Sequence, residues 1–191
     1  MLWLVVGLGN PGPDYTSTRH NIGQMVVEML ADQNKVRWTT HKSRTDVAAF
    51  KIDVGTDMSS VILAKSKSYM NESGGPIKAL ATFYKVDPTN IIVIHDELDI
   101  AFSTIRVKYA GGDNGHNGLK SLTSSFATAN YYRVRMGIGR PLGQGDAADF
   151  VLKPFASAEK KALPDFLIRG TEAVESLITK GLDITQQDFN S

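Results

Sequence analysis

Apolar positions in this chain come in two arrangements, short continuous runs and residues spaced at helical intervals. Leu2 to Val6 and Ile91 to Ile94 are continuous apolar runs, which is typical of strands buried on both faces of a sheet. Further strands are predicted at 47–52, 61–64, 104–109 and 131–138. Polar and apolar residues alternate in the last two, so each of these is predicted to have one buried face.

Three segments carry the 3.6-residue period of amphipathic helices. The first is predicted to begin near Arg19, behind residues 16–18 (Thr-Ser-Thr), which can cap a helix. The second covers 73–85, and the third covers 164–180 and is closed by Gly181. Because strands alternate with helices, we predict an α/β fold with a twisted mixed β-sheet flanked by helices, of the phosphorylase/hydrolase-like kind.

Length and composition narrow the class of protein. The chain has 191 residues and is predicted to form a single domain over 1–191. Its 42% hydrophobic and 21% charged content is ordinary for a globular protein. Cysteine is absent, which excludes disulfides, thiolate nucleophiles and Cys-ligated zinc. The apolar run at the start is too short to span a bilayer, so we expect no membrane partner and a cytoplasmic location.

The net charge is only +1, but its distribution is uneven. Residues 101–140 hold six basic side chains and one acidic one, whereas residues from 141 onward hold eight acidic and five basic side chains. Alternation places Arg106 with Lys108, and Arg133 with Arg135, on single strand faces. Such a pattern is often only a solvated surface. Paired cations on nearby strands also favour a clamp for a phosphate-bearing ligand.

Residues 7–12 match the glycine pattern of dinucleotide-binding folds, G-x-G-x-x-G, directly after a strand. That site requires the next helix to begin inside the glycine run, with its N-terminus at the pyrophosphate. Pro11 and Pro13 interrupt this geometry, and the helical period begins only near Arg19. The two prolines and the late start of the helix therefore argue against a dinucleotide site, despite the match to the glycine pattern.

His20 and Asp96 are the candidate catalytic pair. His20 is predicted in the first turn of its helix, where the helix dipole disfavours the protonated ring and keeps it able to accept a proton. Asp96 follows a buried strand, where a carboxylate is costly unless it is paired. If the strands at 2–6 and 91–94 are neighbours, their carboxyl ends bring Asp96 to the His20 ring. An isolated histidine would otherwise be interpreted as a surface residue.

The remaining polar residues refine the expected chemistry. The chain has no cysteine and no G-x-S-x-G nucleophile motif, so a His–Asp pair indicates direct activation of water. Asn10, Asn71 and Asn117 offer carboxamides suited to a peptide-like substrate, although each could simply support a turn. We expect no metal and no cofactor, because none of the possible ligands has zinc-type spacing: His20, His95, Asp96, Glu97, Asp99 and His116.

Several motifs together resemble one family. GLGNPGPDYTSTRHNIG, YMNESG, HDELD and GGDNGHNGLKS, followed by RVRMGIGRP and DFVL, are similar to the bacterial-type peptidyl-tRNA hydrolases over nearly the whole chain. The resemblance implies a monomeric, cytoplasmic α/β esterase. Such an enzyme cleaves the ester between an N-blocked peptide and the 3′ end of tRNA, and so frees tRNA for reuse in translation. The alternative is a non-catalytic RNA-binding module of the same fold, and a second rival is a metallohydrolase.

The resemblance also implies roles for individual residues. His20 matches the general base, Asp96 the supporting carboxylate, and Asn10 the residue that helps distinguish N-blocked from free aminoacyl-tRNA. Lys108 and Arg135 match the clamp on the tRNA 5′-phosphate. Further contacts to the substrate and the acceptor end fall on Tyr15, Tyr69, Met70, Asn71, His116 and Asn117.

The sequence departs from the family pattern at several positions. Asp113-Asn114 stands where relatives often carry Gly with His or Glu, and Tyr69 replaces a common Phe. The tail after Gly181 is acidic to neutral rather than basic, so we assign the last helix no strong tRNA-binding role. The Gly-rich segment 139–149 is predicted to be a mobile lid.

Overall fold

A twisted mixed sheet forms the centre of the computed structural model, which describes residues 1–190. Within those residues the sheet has seven strands in the order β2-β3-β4-β1-β5-β7-β6. The strands are β1 (Leu2–Gly7), β2 (Thr39–His41), β3 (Thr45–Val54), β4 (Asp57–Ser66), β5 (Ile91–Glu97), β6 (Ile105–Tyr109) and β7 (Tyr132–Gly137). The four central strands β4, β1, β5 and β7 are parallel, and antiparallel strands flank them on both sides.

Helices cover both faces of the sheet. They are α1 (Ile22–Gln33), α2 (Gly74–Tyr84), α3 (Asn117–Phe126), α4 (Ala147–Val151), α5 (Ser157–Thr179) and α6 (Leu182–Phe189). One hydrophobic core lies between the sheet and α1 with α5, and the other lies between the sheet and α2 with α3. The predicted fold class is confirmed, with helices on both faces of a mainly parallel sheet.

The first strand and first helix approach each other through glycines. A Cβ atom on Gly23 would lie 2.1 Å from the carbonyl oxygen of Ile94, and one on Gly7 would lie 2.3 Å from that of Gly23. Only glycine permits this contact. It holds α1 tightly against the carboxyl ends of β1 and β5, and so sets the position of the segment just before α1.

Two helix boundaries differ from the predicted ones. The helix predicted at 164–180 begins earlier, at Ser157, so Pro164 lies inside it. Glu159 caps the N-terminus of this helix, because its Oε1 atom accepts a hydrogen bond from the Ala156 amide. Ahead of α1, residues Arg19–Asn21 form a 3₁₀ turn, and the Thr18 hydroxyl donates to the Tyr15 carbonyl instead of capping a helix.

The tail forms the short helix α6, which the pattern did not predict. Asn190 accepts a hydrogen bond from the Val107 amide, and Gln186 and Asn190 donate to the Val107 carbonyl. These contacts cover the open edge of β6, which would otherwise be free to pair with another chain. No helix within residues 1–190 is long and apolar enough to cross a membrane.

Candidate active site

His20 and Asp96 meet at the carboxyl edge of the central strands. β1 and β5 are parallel neighbours, with Gly7 paired to Ile94, as the sequence analysis required. Nδ1 of His20 lies 2.8 Å from Oδ2 and 3.1 Å from Oδ1 of Asp96. Both side chains are largely buried. The two residues are therefore hydrogen-bonded although 76 positions separate them in the chain.

A second histidine contacts the same carboxylate. Nε2 of His116 lies 2.8 Å from Oδ1 of Asp96. On its other side, Nδ1 of His116 accepts hydrogen bonds from the amides of Gly118 and Leu119, at the start of α3. His116 therefore donates its Nε2 proton to Asp96 and links the start of α3 to this carboxylate. The sequence placed His116 near the substrate but did not reveal this link.

The buried carboxylate stays charged. Burial by itself raises the pKa of Asp96, but the charges and hydrogen bonds of His20 and His116 outweigh it and hold that pKa well below its ordinary value. An ionised carboxylate only accepts hydrogen bonds. Nδ1 of His20 is therefore the donor, which leaves Nε2 as the proton-accepting nitrogen of the neutral ring.

The pKa of His20 is shifted in the direction opposite to the one that the helix-dipole argument predicts. Burial lowers its pKa, but the charge of Asp96 and its hydrogen bond outweigh burial, and the pKa is raised above the ordinary value. The short 3₁₀ turn that carries His20 presents little dipole, whereas the carboxylate is in direct contact. His20 is accordingly a stronger base than the predicted helix position implied.

His95, next to this pair, is inert. Its Nδ1 donates to the Asp96 carbonyl oxygen at 2.8 Å, and its ring packs edge-on against His116 with centroids 5.1 Å apart. Burial, followed by the charge of His116, lowers the pKa of His95 to about 3. A ring that resists protonation so strongly serves packing rather than proton transfer.

Asn10 is held by a second asparagine that the sequence analysis did not single out. The Asn21 side chain accepts from the Asn10 amide and donates to the Asn10 carbonyl, each at 2.9 Å. The Asn10 side-chain oxygen in turn accepts from the Met70 amide at 2.7 Å. Asn10 thereby joins the loop after β1 to the turn that carries Asn71. The side-chain NH₂ group of Asn10 is the part that is left to face a ligand.

An open cleft of about 350 Å³ lies beside the pair. Of the predicted residues, the cleft is lined by His20, Asp96, Asn10, Met70, Asn71, His116 and Asn117. Ala147, Val151 and Leu152, on or next to α4, form another wall. Tyr15 and Tyr69 are not part of this lining; they contact each other edge to face, with ring centroids 6.2 Å apart, and Tyr69 is exposed.

The basic strands form one surface. β6 and β7 pair so that Arg106 is opposite Arg135 and Lys108 is opposite Arg133, which puts all four side chains on one face. The Arg133 guanidinium is buried and donates to the carbonyls of Gly111 and Gly112. Partial burial and then the neighbouring arginines lower the pKa of Lys108. Arg133 thus supports a loop, while Lys108 and Arg135 remain as candidates for an anion.

The atoms around Asp96 could in principle hold a metal. Among residues 1–190, His20, Asp96 and His116 are the group of such side chains whose ligand atoms lie within 4.8 Å of one another. Each contact joins one donor to one acceptor, so hydrogen bonding accounts for the grouping.

The glycine pattern at 7–12 serves close packing and a loop, because α1 begins only at Ile22.

The mainly parallel sheet, with a histidine–aspartate pair in a cleft at the carboxyl ends of its strands, defines a hydrolase of the α/β class. A family profile described as Peptidyl-tRNA hydrolase matches residues 4–191. The chain belongs to this family, and its substrate is peptidyl-tRNA.

Individual relatives agree over almost the full length. The peptidyl-tRNA hydrolase of Frankia alni is 53% identical over 189 residues, which cover 99% of this chain and 94% of that protein. The one from Streptomyces coelicolor is 52% identical over 191 residues, covering 99% and 95%. The crystal structure of peptidyl-tRNA hydrolase from Acinetobacter baumannii matches with a TM-score of 0.88 and 31% identity, covering 100% of this chain and 95% of that one.

Proposed function

We propose that this hydrolase cleaves the ester bond between an N-blocked peptide and the 3′ end of tRNA, with His20 as general base and Asp96 as its supporting carboxylate. The observation that carries the proposal is the contact between Nδ1 of His20 and the buried, ionised Asp96. This contact makes Nε2 the basic nitrogen and places the ring beside the cleft.

The reaction follows from this geometry. Nε2 of His20 takes a proton from a water molecule, whose oxygen forms a bond to the ester carbonyl carbon. The amide of Asn71 or Asn117, both in the cleft lining, donates to the developing oxyanion. The bond to the ribose oxygen then breaks, and the imidazolium returns its proton to that oxygen. A positioned base contributes about 10²- to 10⁴-fold, and one oxyanion donor about 10²- to 10³-fold.

Asn10 supports selection of N-blocked substrates. Its side-chain oxygen is engaged by Met70, so the free part of the side chain is a donor. A peptide carbonyl accepts from this group, whereas the ammonium of free aminoacyl-tRNA has only donors and a positive charge. The buried, doubly held backbone of Asn10 keeps this donor in one place.

The tRNA would lie across the basic face. Lys108 and Arg135, on paired strands, suit the 5′-phosphate, and exposed Tyr69 with Tyr15 offers an aromatic surface at the rim. Residues 139–149 would act as the lid, since α4 at their end lines the cleft. We further propose that the enzyme works as a monomer in the cytoplasm, which gel filtration and cell fractionation can test.

Replacing His20 tests the proposal directly. For His20→Ala, turnover of N-acetyl-aminoacyl-tRNA should fall by about 10²- to 10⁴-fold, while the dissociation constant for tRNA stays within twofold. His41→Ala, a histidine on the edge strand β2, is the matched control and should behave like the parent.

Two outcomes would contradict the assignment. Equal losses of binding and turnover in His20→Ala would make His20 structural, and a parent that binds tRNA without hydrolysing N-acetyl-aminoacyl-tRNA would support the RNA-binding alternative. Activity retained with a chelator selective for transition metals would separate the mechanism from that of a metallohydrolase.

A further inference from the structure

The segment 111–116, here called the 111–116 loop, borders the cleft and carries His116. It is attached at both ends. At its start, Arg133 donates to the carbonyls of Gly111 and Gly112. At its end, His116 donates to Asp96. The orientation of His116 therefore depends on how the middle of the loop is held.

Asn114 holds the middle of the loop. Its side-chain amide donates to Oε2 of Glu97 at 2.9 Å and to Oδ2 of Asp99 at 2.6 Å. The other oxygen of Asp99 accepts from Nε of Arg140 at 2.6 Å. One NH₂ group thus joins two carboxylates that would otherwise repel each other. Through Arg140 the same contacts reach the first residues after β7.

The backbone of the loop is shaped for this contact. Asn114 has a φ of 48°, in the left-handed region that Asn and Gly adopt more readily than other residues. The Asp113 side chain accepts from the Gly115 amide, and the His116 amide donates to the Asp113 carbonyl. These local turns aim the Asn114 side chain at the end of β5, and Asn114 itself lines the cleft.

We propose that Asn114 is a positioning residue of this hydrolase. By joining Glu97 and Asp99 it holds the 111–116 loop so that His116 stays on Asp96 and Asn117 stays in the cleft. The inference rests on the proposed roles of Asp96 and His20. Asn suits this position because it fits the left-handed backbone and supplies two donors.

Asn114→Gly is the sharpest test, because glycine keeps the left-handed backbone and removes only the side-chain hydrogen bonds. We expect kcat for N-acetyl-aminoacyl-tRNA to fall about tenfold, the effect of losing hydrogen bonds to charged partners. KM should stay within twofold, because Lys108 and Arg135 are untouched. The NMR signal of the His116 Nε2 proton should shift or broaden, which a loss of stability elsewhere would not cause.

A donor–acceptor exchange provides the rescue. Asn114→Asp alone adds a third carboxylate and should lower kcat more than Asn114→Gly does. Adding Asp99→Asn exchanges donor and acceptor, so that the hydrogen bond between the two positions can form again and restore kcat at least threefold over Asn114→Asp. Asp113→Asn, which keeps the acceptor for Gly115, is the matched control and should keep parental kcat.

The failures are distinguishable. Parental kcat in Asn114→Gly, or a lowered kcat with an unchanged His116 proton signal, would overturn the role of Asn114 while leaving the mechanism intact. Failure of the exchange to restore kcat would also count against it. Full activity in His20→Ala would overturn the proposed function instead.

Discussion

Asp96 carries a charge in a position that is only 3% exposed, and its neighbours explain how. A buried carboxylate is costly unless it is paired and hydrogen-bonded. Here two imidazole N–H groups supply the partners, at 2.8 Å each, and the His116 ring is itself fixed by the amides at the start of α3. Single residues therefore set both the ionisation of Asp96 and the basic nitrogen of His20.

The pH dependence of activity follows from the raised pKa of His20. As the proposed general base, His20 must be neutral to act, so we expect activity to be lost as pH falls through that pKa. We expect the acidic limb of kcat/KM to lie above the ordinary histidine value of about 6.5. In Asp96→Asn the favourable charge is gone and burial dominates, so the limb should move below that value while the plateau falls. A limb that stays in place in Asp96→Asn would show that another group controls it.

At the scale of elements, the packing of α1 on β1 and β5 determines where the active site forms. Gly7 and Gly23 let the helix touch the ends of the strands, and the turn Arg19–Asn21 contacts β5, where His20 bonds to Asp96. Arg19 secures the other side of that turn. Its guanidinium donates to the Phe150 carbonyl and pairs with Glu159 at 3.0 Å, which ties α4 and α5 to the residue before His20.

A pair of glycine substitutions tests this packing. In Gly23→Ala the added methyl meets the Ile94 carbonyl at 2.1 Å, so the helix must shift. We expect a loss of about 1–3 kcal/mol in the free energy of unfolding and a lower kcat. Gly75→Ala, with only the end of the Arg44 side chain at 4.0 Å, should instead gain up to about 1 kcal/mol from helix propensity. Denaturant unfolding measures both, and equal stabilities would contradict the account.

At the scale of the whole molecule, the net charge is small, but positive charge is concentrated on one face of the sheet. The net charge is +1, yet β6 and β7 place Arg106, Lys108, Arg133 and Arg135 on one face. α2 and α3 cover this side of the sheet over its centre, where the second core lies, and leave the Arg106 end of β6 exposed. A local cationic surface attracts a phosphate while the rest of the protein remains near neutral.

Salt dependence should report this surface. Lys108→Ala or Arg135→Ala should raise KM and make its dependence on salt concentration shallower, because each removes a phosphate contact and its counterion release. kcat should change little, since neither residue lines the cleft. Lys51→Ala, which changes an exposed lysine on β3 near the opposite edge of the sheet, removes the same charge and should leave the salt slope unchanged. Equal slopes in all variants would exclude the clamp.

Local patterns were enough for much of the fold. The continuous apolar runs identified β1 and β5, and the helical period placed the start of the first helix near Arg19, close to its observed start at Ile22. Short helices were missed because few residues carry their period, as in α4 (Ala147–Val151). The predicted last helix, 164–180, starts at Pro164, and proline is common in first turns. The structure instead places it within α5, where burial of the helix against the core offsets one missing backbone hydrogen bond.

The sequence by itself determined the fold class, the family, the central strands β1 and β5, and seven of the residues that line the cleft, because periodicity and motifs are local properties of a chain. Only the tertiary structure decided how those residues act on one another. The bridge from His116 to Asp96, the support of Asn10 by Asn21, the burial of Arg133 and the contacts of Asn114 join positions 11 to 22 residues apart. Hydrogen-bond geometry, burial and the resulting pKa shifts arise only when folding brings such side chains within 3 Å or so of each other.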